Sequence, residues 1–139
     1  MEWTWLLTIG IIHYIADFWV QTHWQSQNKS SNLEALAAHI LTYTLCFVPL
    51  IGFALWNNNH INVETESGMD VLEFGMLWGA LGLIFIGHWV TDFITSRAAK
   101  QEFDKKSGAG IRAGFQIVGL DQLIHSVHLY AVFSWLLNF

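Results

Sequence analysis

The sequence is poor in charge, nearly free of proline, and holds a single cysteine. Only 12% of its 139 residues are Asp, Glu, Lys or Arg, against about 25% in ordinary soluble domains. So little charge speaks against a solvated surface all round and for a membrane protein. Six basic residues against eleven acidic ones give a formal net charge of -5, which speaks against a nucleic-acid partner. The lone Cys46 excludes an intrachain disulfide, and its apolar surroundings in the sequence suit inert packing. No serine or cysteine stands in a recognisable nucleophile motif. The first apolar stretch has no basic segment before it and no small-residue cleavage site after it, so it reads as a retained helix rather than a signal peptide. Solenoid repeats and low-complexity tracts are also missing.

What is present is apolar and aromatic. Hydrophobic residues make up 53% of the chain, with 8 Trp and 10 Phe. They fall into four runs, at about residues 3–21, 33–56, 69–95 and 116–138, each near the ~20 residues that a helix needs to cross a bilayer. The expected fold is all-α, a four-helix transmembrane bundle in a single domain. Trp3 and Trp5 at one end of the first run, and Trp19 and Trp24 at the other, suit the two interfacial belts. Asn32 ahead of Leu33-Glu34 reads as a helix N-cap with an acid in the first turn. Pro49 lies inside the second run and is expected to kink it. Gly75, Gly79 and Gly82 are expected to let a neighbouring helix come close. The stretch Gln101 to Gly114 is charged and glycine-containing and reads as a surface loop.

The basic residues orient the runs. Lys29 lies in the first connection; Arg97, Lys100, Lys105, Lys106 and Arg112 lie in or beside the third. With four spans these connections share a side, which should be cytoplasmic. The loop holding Glu64, Glu66 and Asp70 and both termini then face outward.

Three of the four runs carry a histidine and an aspartate four residues apart: His13 and Asp17, His88 and Asp92, and, reversed, Asp121 and His125. On a helix such residues share a face. The remaining run carries His39. Given the orientation and a rise of about 1.5 Å per residue, all seven fall within a few turns of the cytoplasmic surface. An aspartate near the centre of a membrane helix costs roughly 2.5 to 3.5 kcal/mol on insertion scales. Binding a cation recovers that cost better than mutual contact does. His13, Asp17, His39, His88, Asp92, Asp121 and His125 are therefore the expected metal ligands. Imidazole with carboxylate and no thiolate suits zinc first, with iron or manganese as alternatives. Seven candidates exceed one tetrahedral shell, so either two metals bind, or one metal binds and the surplus aspartates orient its histidines.

Several other residues have a bland reading beside a functional one. His128 shares the face of Asp121 and His125, yet packing suits it better than ligation. His23 and His60 fall in polar stretches and are expected to be solvated. Gln21 continues the His13–Asp17 face and is a candidate for orienting a ligand. Tyr43, one turn beyond His39, is a candidate proton donor or a packing residue. Lys29 and Arg97, near the mouth of the site, fit a phosphate or lipid headgroup less well than they fit anchoring at the cytoplasmic surface.

These stretches resemble a known family. His13-x3-Asp17-Phe18-x2-Gln21-Thr22, Asn28-Lys29, His39-x3-Tyr43, His88-x3-Asp92-Phe93-Ile94-Thr95-Ser96-Arg97 and Val118-Gly119-Leu120-Asp121-Gln122-Leu123-Ile124-His125 are similar to the domain of unknown function 3307 family of small membrane proteins in bacteria and their phages. The resemblance covers nearly the whole chain; the acidic stretch between the second and third runs has no counterpart in it. It implies a helical protein of the inner, cytoplasmic membrane of a bacterium or a phage-infected host, and it supplies no activity. By looser analogy, helix-borne His and Asp residues look like those of membrane-bound metal-dependent hydrolases.

The first functional expectation is therefore a metal-dependent hydrolase of a lipid or membrane-bound peptide. Asp17, Asp92 and Asp121 are its catalytic candidates, and the carboxylate left off the metal is the general base. A proton or divalent-cation transporter is the alternative, although polar residues do not continue into the outer halves of the runs. A redox carrier with bis-histidine haem leaves the three aspartates unexplained. A non-enzymatic phage membrane protein with a structural metal site is the remaining possibility. The partners expected are the lipid bilayer and the substrate itself, and the tryptophans and glycine faces allow a homo-oligomer.

Overall fold

A computed structural model describes residues 3–59 and 71–138. His60 and the acids Glu64, Glu66 and Asp70 lie outside the described residues. Within them the chain is all helix, with no strand. Helix α1 is Trp3–Tyr14 and runs into a π-helical turn at Ile15–Trp19. A short helix α2, His23–Asn28, follows. Then come α3, Leu33–Leu45, with its continuation α4, Val48–Asn59, the long α5, Val71–Asp104, and α6, Gly108–Leu137.

The helix ends follow local chemistry. Thr22 caps α2 with a reciprocal box: its hydroxyl accepts from Gln25 N, and Gln25 Oε1 accepts from Thr22 N at 2.7 Å. Asn32 Oδ1 accepts from Glu34 N at 2.7 Å and Ala35 N at 3.2 Å, which satisfies otherwise orphaned donors at the start of α3. The break between α3 and α4 falls where Pro49 is expected to act. Proline has no N–H for the carbonyl four residues back, and Cys46 N and Phe47 N instead close tighter bonds to Tyr43 O and Thr44 O, both 3.1 Å.

The stretch read as a surface loop is mostly helical. Helix α5 continues to Asp104, and α6 starts at Gly108 under a Ser107 cap. The charges that suggested a loop sit on exposed helix faces, as in the Lys100–Asp104 pair at 3.1 Å. Lys106, in left-handed backbone (φ 49°), turns the chain. The hairpin is tight because Gly110 and Gly114 lack side chains: a Cβ at Gly110 would meet Glu102 O at 2.5 Å, and one at Gly114 the Phe103 ring at 2.5 Å. The glycines singled out in the sequence do less. Gly75 and Gly82 face open space, and Gly79 meets only Trp135 at 3.6 Å.

Leu33–Asn57 and Val71–Asp104 are each long and apolar enough to cross a membrane, with mean hydropathy 1.8 and 1.6. The outward faces are apolar too: Leu6, Leu45, Phe53, Trp78, Ile86, Phe115 and Leu123 are all exposed. Large apolar surface turned outward is what a lipid environment tolerates and water does not.

Inside, the helices pack two unlike layers. One is apolar. Ile9, Phe47, Ile51, Ala54, Ala80, Ile84, Leu129, Phe133 and Leu136 are all buried, with the Phe47 and Phe133 ring centroids 6.2 Å apart. The other is polar, at the end of the helices that carries Lys29 and the α5–α6 turn. The two layers are continuous: His13, His39, His88 and His125 each have an apolar buried residue four to eight positions along the same helical rod, namely Ile9, Phe47, Ile84 and Leu129.

Candidate metal centre

The polar layer is built from i, i+4 pairs, as the sequence implies, and from one distortion that it does not. The π turn bonds Val20 N to Ile15 O at 3.0 Å, one residue wider than an α turn. Such widened turns recur at functional sites. Both His13 and Asp17 are buried, and both meet Gln122.

Four donor atoms from three elements converge. His39 Nε2 lies 3.1 Å from Asp17 Oδ1, 3.3 Å from Asp92 Oδ2 and 3.1 Å from His88 Nε2. His88 Nε2 lies 3.6 Å from Asp92 Oδ2 and 3.9 Å from Asp17 Oδ1. With ligand bonds of about 2.0–2.2 Å, neighbouring donors of a tetrahedral shell stand about 3.3–3.6 Å apart. The observed edges straddle that value. Asp17 Oδ1 is buried without a hydrogen-bond partner, an orphaned carboxylate oxygen aimed at the centre of the four. His2Asp2 is a donor set that suits zinc, iron or manganese. Buried His/Asp groups able to hold a metal ion are thus present. The ring nitrogens on the far side, Nδ1 of His39 and of His88, find no partner, unlike the second nitrogen of most metal-bound histidines.

Lys29 enters this group, which its place in the sequence did not suggest. From the turn after α2 its Nζ reaches Asp92 Oδ2 at 2.9 Å, His39 Nε2 at 3.2 Å and Asp17 Oδ1 at 3.7 Å. Burial opposes its charge, but Asp92 and Asp17 outweigh that and hold its pKa above the ordinary lysine value. The ammonium is the counter-charge that lets two buried carboxylates face each other.

His13 stands one step back. The Gln122 amide donates to Asp17 Oδ2 at 2.7 Å and to Asp121 Oδ2 at 3.0 Å. Carboxylates only accept, so Gln122 turns its oxygen to His13 Nε2, 2.9 Å away. That nitrogen must donate. Nδ1 of His13 therefore accepts, and Tyr43 OH donates to it at 2.8 Å. Both nitrogens of His13 are engaged, Nε2 through the Gln122 that binds Asp17 and Asp121. Tyr43 also stacks on His88, with centroids 3.8 Å apart. Its role joins packing to hydrogen bonding. Gln122 carries the link between Asp17 and Asp121, and no spacing rule singled it out.

Asp121 and His125 lie beside the four-atom cage. Asp121 accepts from Thr95 Oγ1, and His125 stacks on His88 at 4.1 Å. His128 turns away: it contacts Leu83 O at 3.0 Å and lies across Gly87. Gln21 lines the cavity next to the cage, and its Oε1 is buried without a partner. Arg97 stays outside, folded over the Phe93 ring at 3.9 Å.

A cavity of ≈ 170 Å³ adjoins the cage, bordered by Asp17, Lys29, Asp92 and Asp121 and walled by Phe18, Ala99 and Val118. It lies at the basic end of the helices. Apolar walls with a few convergent polar groups are the usual make-up of a ligand pocket. No family model matches the chain, and no curated protein or solved structure matches it.

Proposed function

We propose that the chain is an integral membrane protein of four spans that binds a divalent metal and hydrolyses an ester or phosphoester of a lipid or other membrane-bound substrate. The observation that carries the reading is the convergence of Asp17 Oδ1, His39 Nε2, His88 Nε2 and Asp92 Oδ2, with the edges to the two histidines at 3.1 to 3.9 Å, against an apolar-walled cavity. Zinc is the first candidate ion; iron and manganese share the donor preference. The first and fourth spans are α1 with its π turn, and α6, whose polar Asp121, Gln122, His125 and His128 lower its hydropathy and face inward or onto α5. The six basic residues support a position of the cavity at the cytoplasmic face of a bacterial inner membrane, and the motif resemblance to the domain of unknown function 3307 family fits that setting.

A bound divalent metal would lower the pKa of water toward ~7 and polarise the scissile group. The residues do the rest. Phe18, Ala99 and Val118 take the apolar part of the substrate. Carboxylate oxygens at the cavity that do not hold the ion accept a proton as water oxygen bonds to carbon or phosphorus, and return it to the departing alcohol. Lys29 competes with any cation for Asp17, Asp92 and His39, and it would turn into the cavity that it already borders if a metal took those donors. The apolar layer of Phe47, Ile51, Ile84 and Phe133 argues against a conduit.

The test is metal content of the detergent-purified protein by elemental mass spectrometry, beside His39→Ala and His88→Ala. Bound zinc, iron or manganese that both variants lose supports the centre. Chelator-sensitive release of fatty acid or alcohol from vesicles then supports the hydrolase. A wild-type protein that binds none of the three ions after reconstitution overturns the reading.

A further inference from the structure

The cage leaves the buried His125 unexplained. His125 is 1% exposed, and neither of its ring nitrogens has a hydrogen-bond partner. A neutral imidazole carries one donor and one acceptor, and buried polar groups are rarely left unmet. Asp121 Oδ2 lies 3.4 Å from His125 Nδ1. Donor atoms of Asp92, Asp121 and His125 all lie within 4.8 Å of one another. The Asp121 carboxylate is held in place by Thr95 and Gln122, and such hydrogen bonds are what fix a ligating carboxylate.

We propose that Asp92, Asp121 and His125 hold a second divalent ion, with Asp92 shared between this locus and the cage. The proposal rests on the metal reading above and deepens it. The two loci differ in kind. Asp17, His39, His88 and Asp92 supply four protein donors, which admit water only by expansion to five. Asp92, Asp121 and His125 supply three, which leaves a position for water or substrate, as catalytic sites do. Asp92 and Asp121 border the cavity, so the open position is reached from it. Paired ions that share a carboxylate suit phosphoester hydrolysis, because they can grip both the attacking and the departing oxygen.

Charge narrows the substrate. Three aspartates against one lysine leave two negative charges in the cluster. One divalent ion cancels them, and a second makes the site a net cation. An anionic phosphoester with an apolar tail then matches both the charge of the loaded centre and the walls formed by Phe18 and Val118.

The test counts ions. Full-length protein in detergent is loaded with Mn2+, freed of excess, and measured by elemental mass spectrometry and electron paramagnetic resonance. Wild type is expected to hold two equivalents with an exchange-coupled spectrum. His125→Gln and Asp121→Asn are expected to hold one, uncoupled, with elution and melting that show an intact fold. One equivalent in wild type, unchanged in both variants, overturns the second locus and leaves the cage standing. Two equivalents retained by both variants also overturn it. No bound metal overturns both readings. Should the variants fail to fold, the wild-type spectrum decides: a coupled pair supports the second locus and isolated ions overturn it.

Discussion

The two ends of the same helices are held together by different physics. At one end Phe47, Ile51, Ile84, Leu129 and Phe133 are buried without a polar atom among their side chains. There, shape alone specifies the contacts, and any apolar residue of similar volume would serve. At the other end His13, Asp17, His39, His88, Asp92, Asp121 and His125 are buried, and each makes sense only with its partners. Removing one leaves a charge or a donor stranded in low dielectric. The apolar end tolerates substitution by volume, whereas each change at the polar end strands a named partner, and that contrast can be tested variant by variant.

The largest effect is expected from Asp92→Ala. It strips the nearest counter-ion from Lys29, 2.9 Å away, and removes the ligand common to both proposed loci. Chemical unfolding in detergent should show a loss of about 3–5 kcal/mol, and bound metal should fall to background. Retained metal would separate Asp92 from the centre.

Phe133→Ala comes next. It leaves a void beside Phe47, at a cost of about 3 kcal/mol, the low end of the usual range because lipid chains are as apolar as the helix interior. Metal content should match wild type when both are measured below the melting temperature. If metal were lost as well, the two ends would form one unit rather than two.

His13→Ala sharpens the division within the polar end. It removes the acceptor of Tyr43 OH and the donor to Gln122, which should cost about 1–3 kcal/mol. The cage should still bind its ion. Loss of metal equal to that in His39→Ala would move His13 among the ligands.

Lys29→Met should act in the opposite sense. Without the ammonium in the cage, divalent affinity is expected to rise by about tenfold, or 1.4 kcal/mol, in a competition titration against a chromogenic chelator. The metal-free variant should melt lower than wild type, since Asp17 and Asp92 then face each other without a counter-charge. An unchanged affinity would place Lys29 outside the cage in solution.

Gly82→Ala is expected to have the smallest effect, within about 0.5 kcal/mol, because a Cβ there meets nothing within 4 Å. Gly87→Ala, one helical turn on, should cost more, since its Cβ would press on the His128 ring at 2.3 Å. Melting curves of the two variants compare an open helix face with a filled one.

The polar layer was legible where periodicity carries the information. Histidine and aspartate four apart on a helix must share a face, and three such pairs with His39 were enough to bring Asp17, His39, His88 and Asp92 together on paper. Contacts made across the chain were not legible. Lys29 reads as an ordinary surface anchor because nothing local shows that α2 folds it back over α3 and α5. Gln122 sits next to Asp121 in sequence, and its reach to Asp17 and His13 depends on how α1 packs against α6. The π turn has no composition signal of its own, so a regular helix through Asp17 is the natural expectation. Charge density alone suggested a loop at 101–114, yet exposed charged residues are also good helix formers, and the α5–α6 hairpin extends through most of that stretch. The all-helical character followed from composition and run length. The helices Leu33–Asn57 and Val71–Asp104 meet the length and hydropathy of a membrane span on their own.

Among the described residues, the layer formed by Phe47, Ile51, Ile84 and Phe133 backs the cluster on one side, and the cavity adjoins it. On the proposed reading, arrival and departure then compete for the same opening. In sealed vesicles of uniform orientation, a membrane-impermeant chelator is expected to act from one side only, and turnover to be confined to one leaflet.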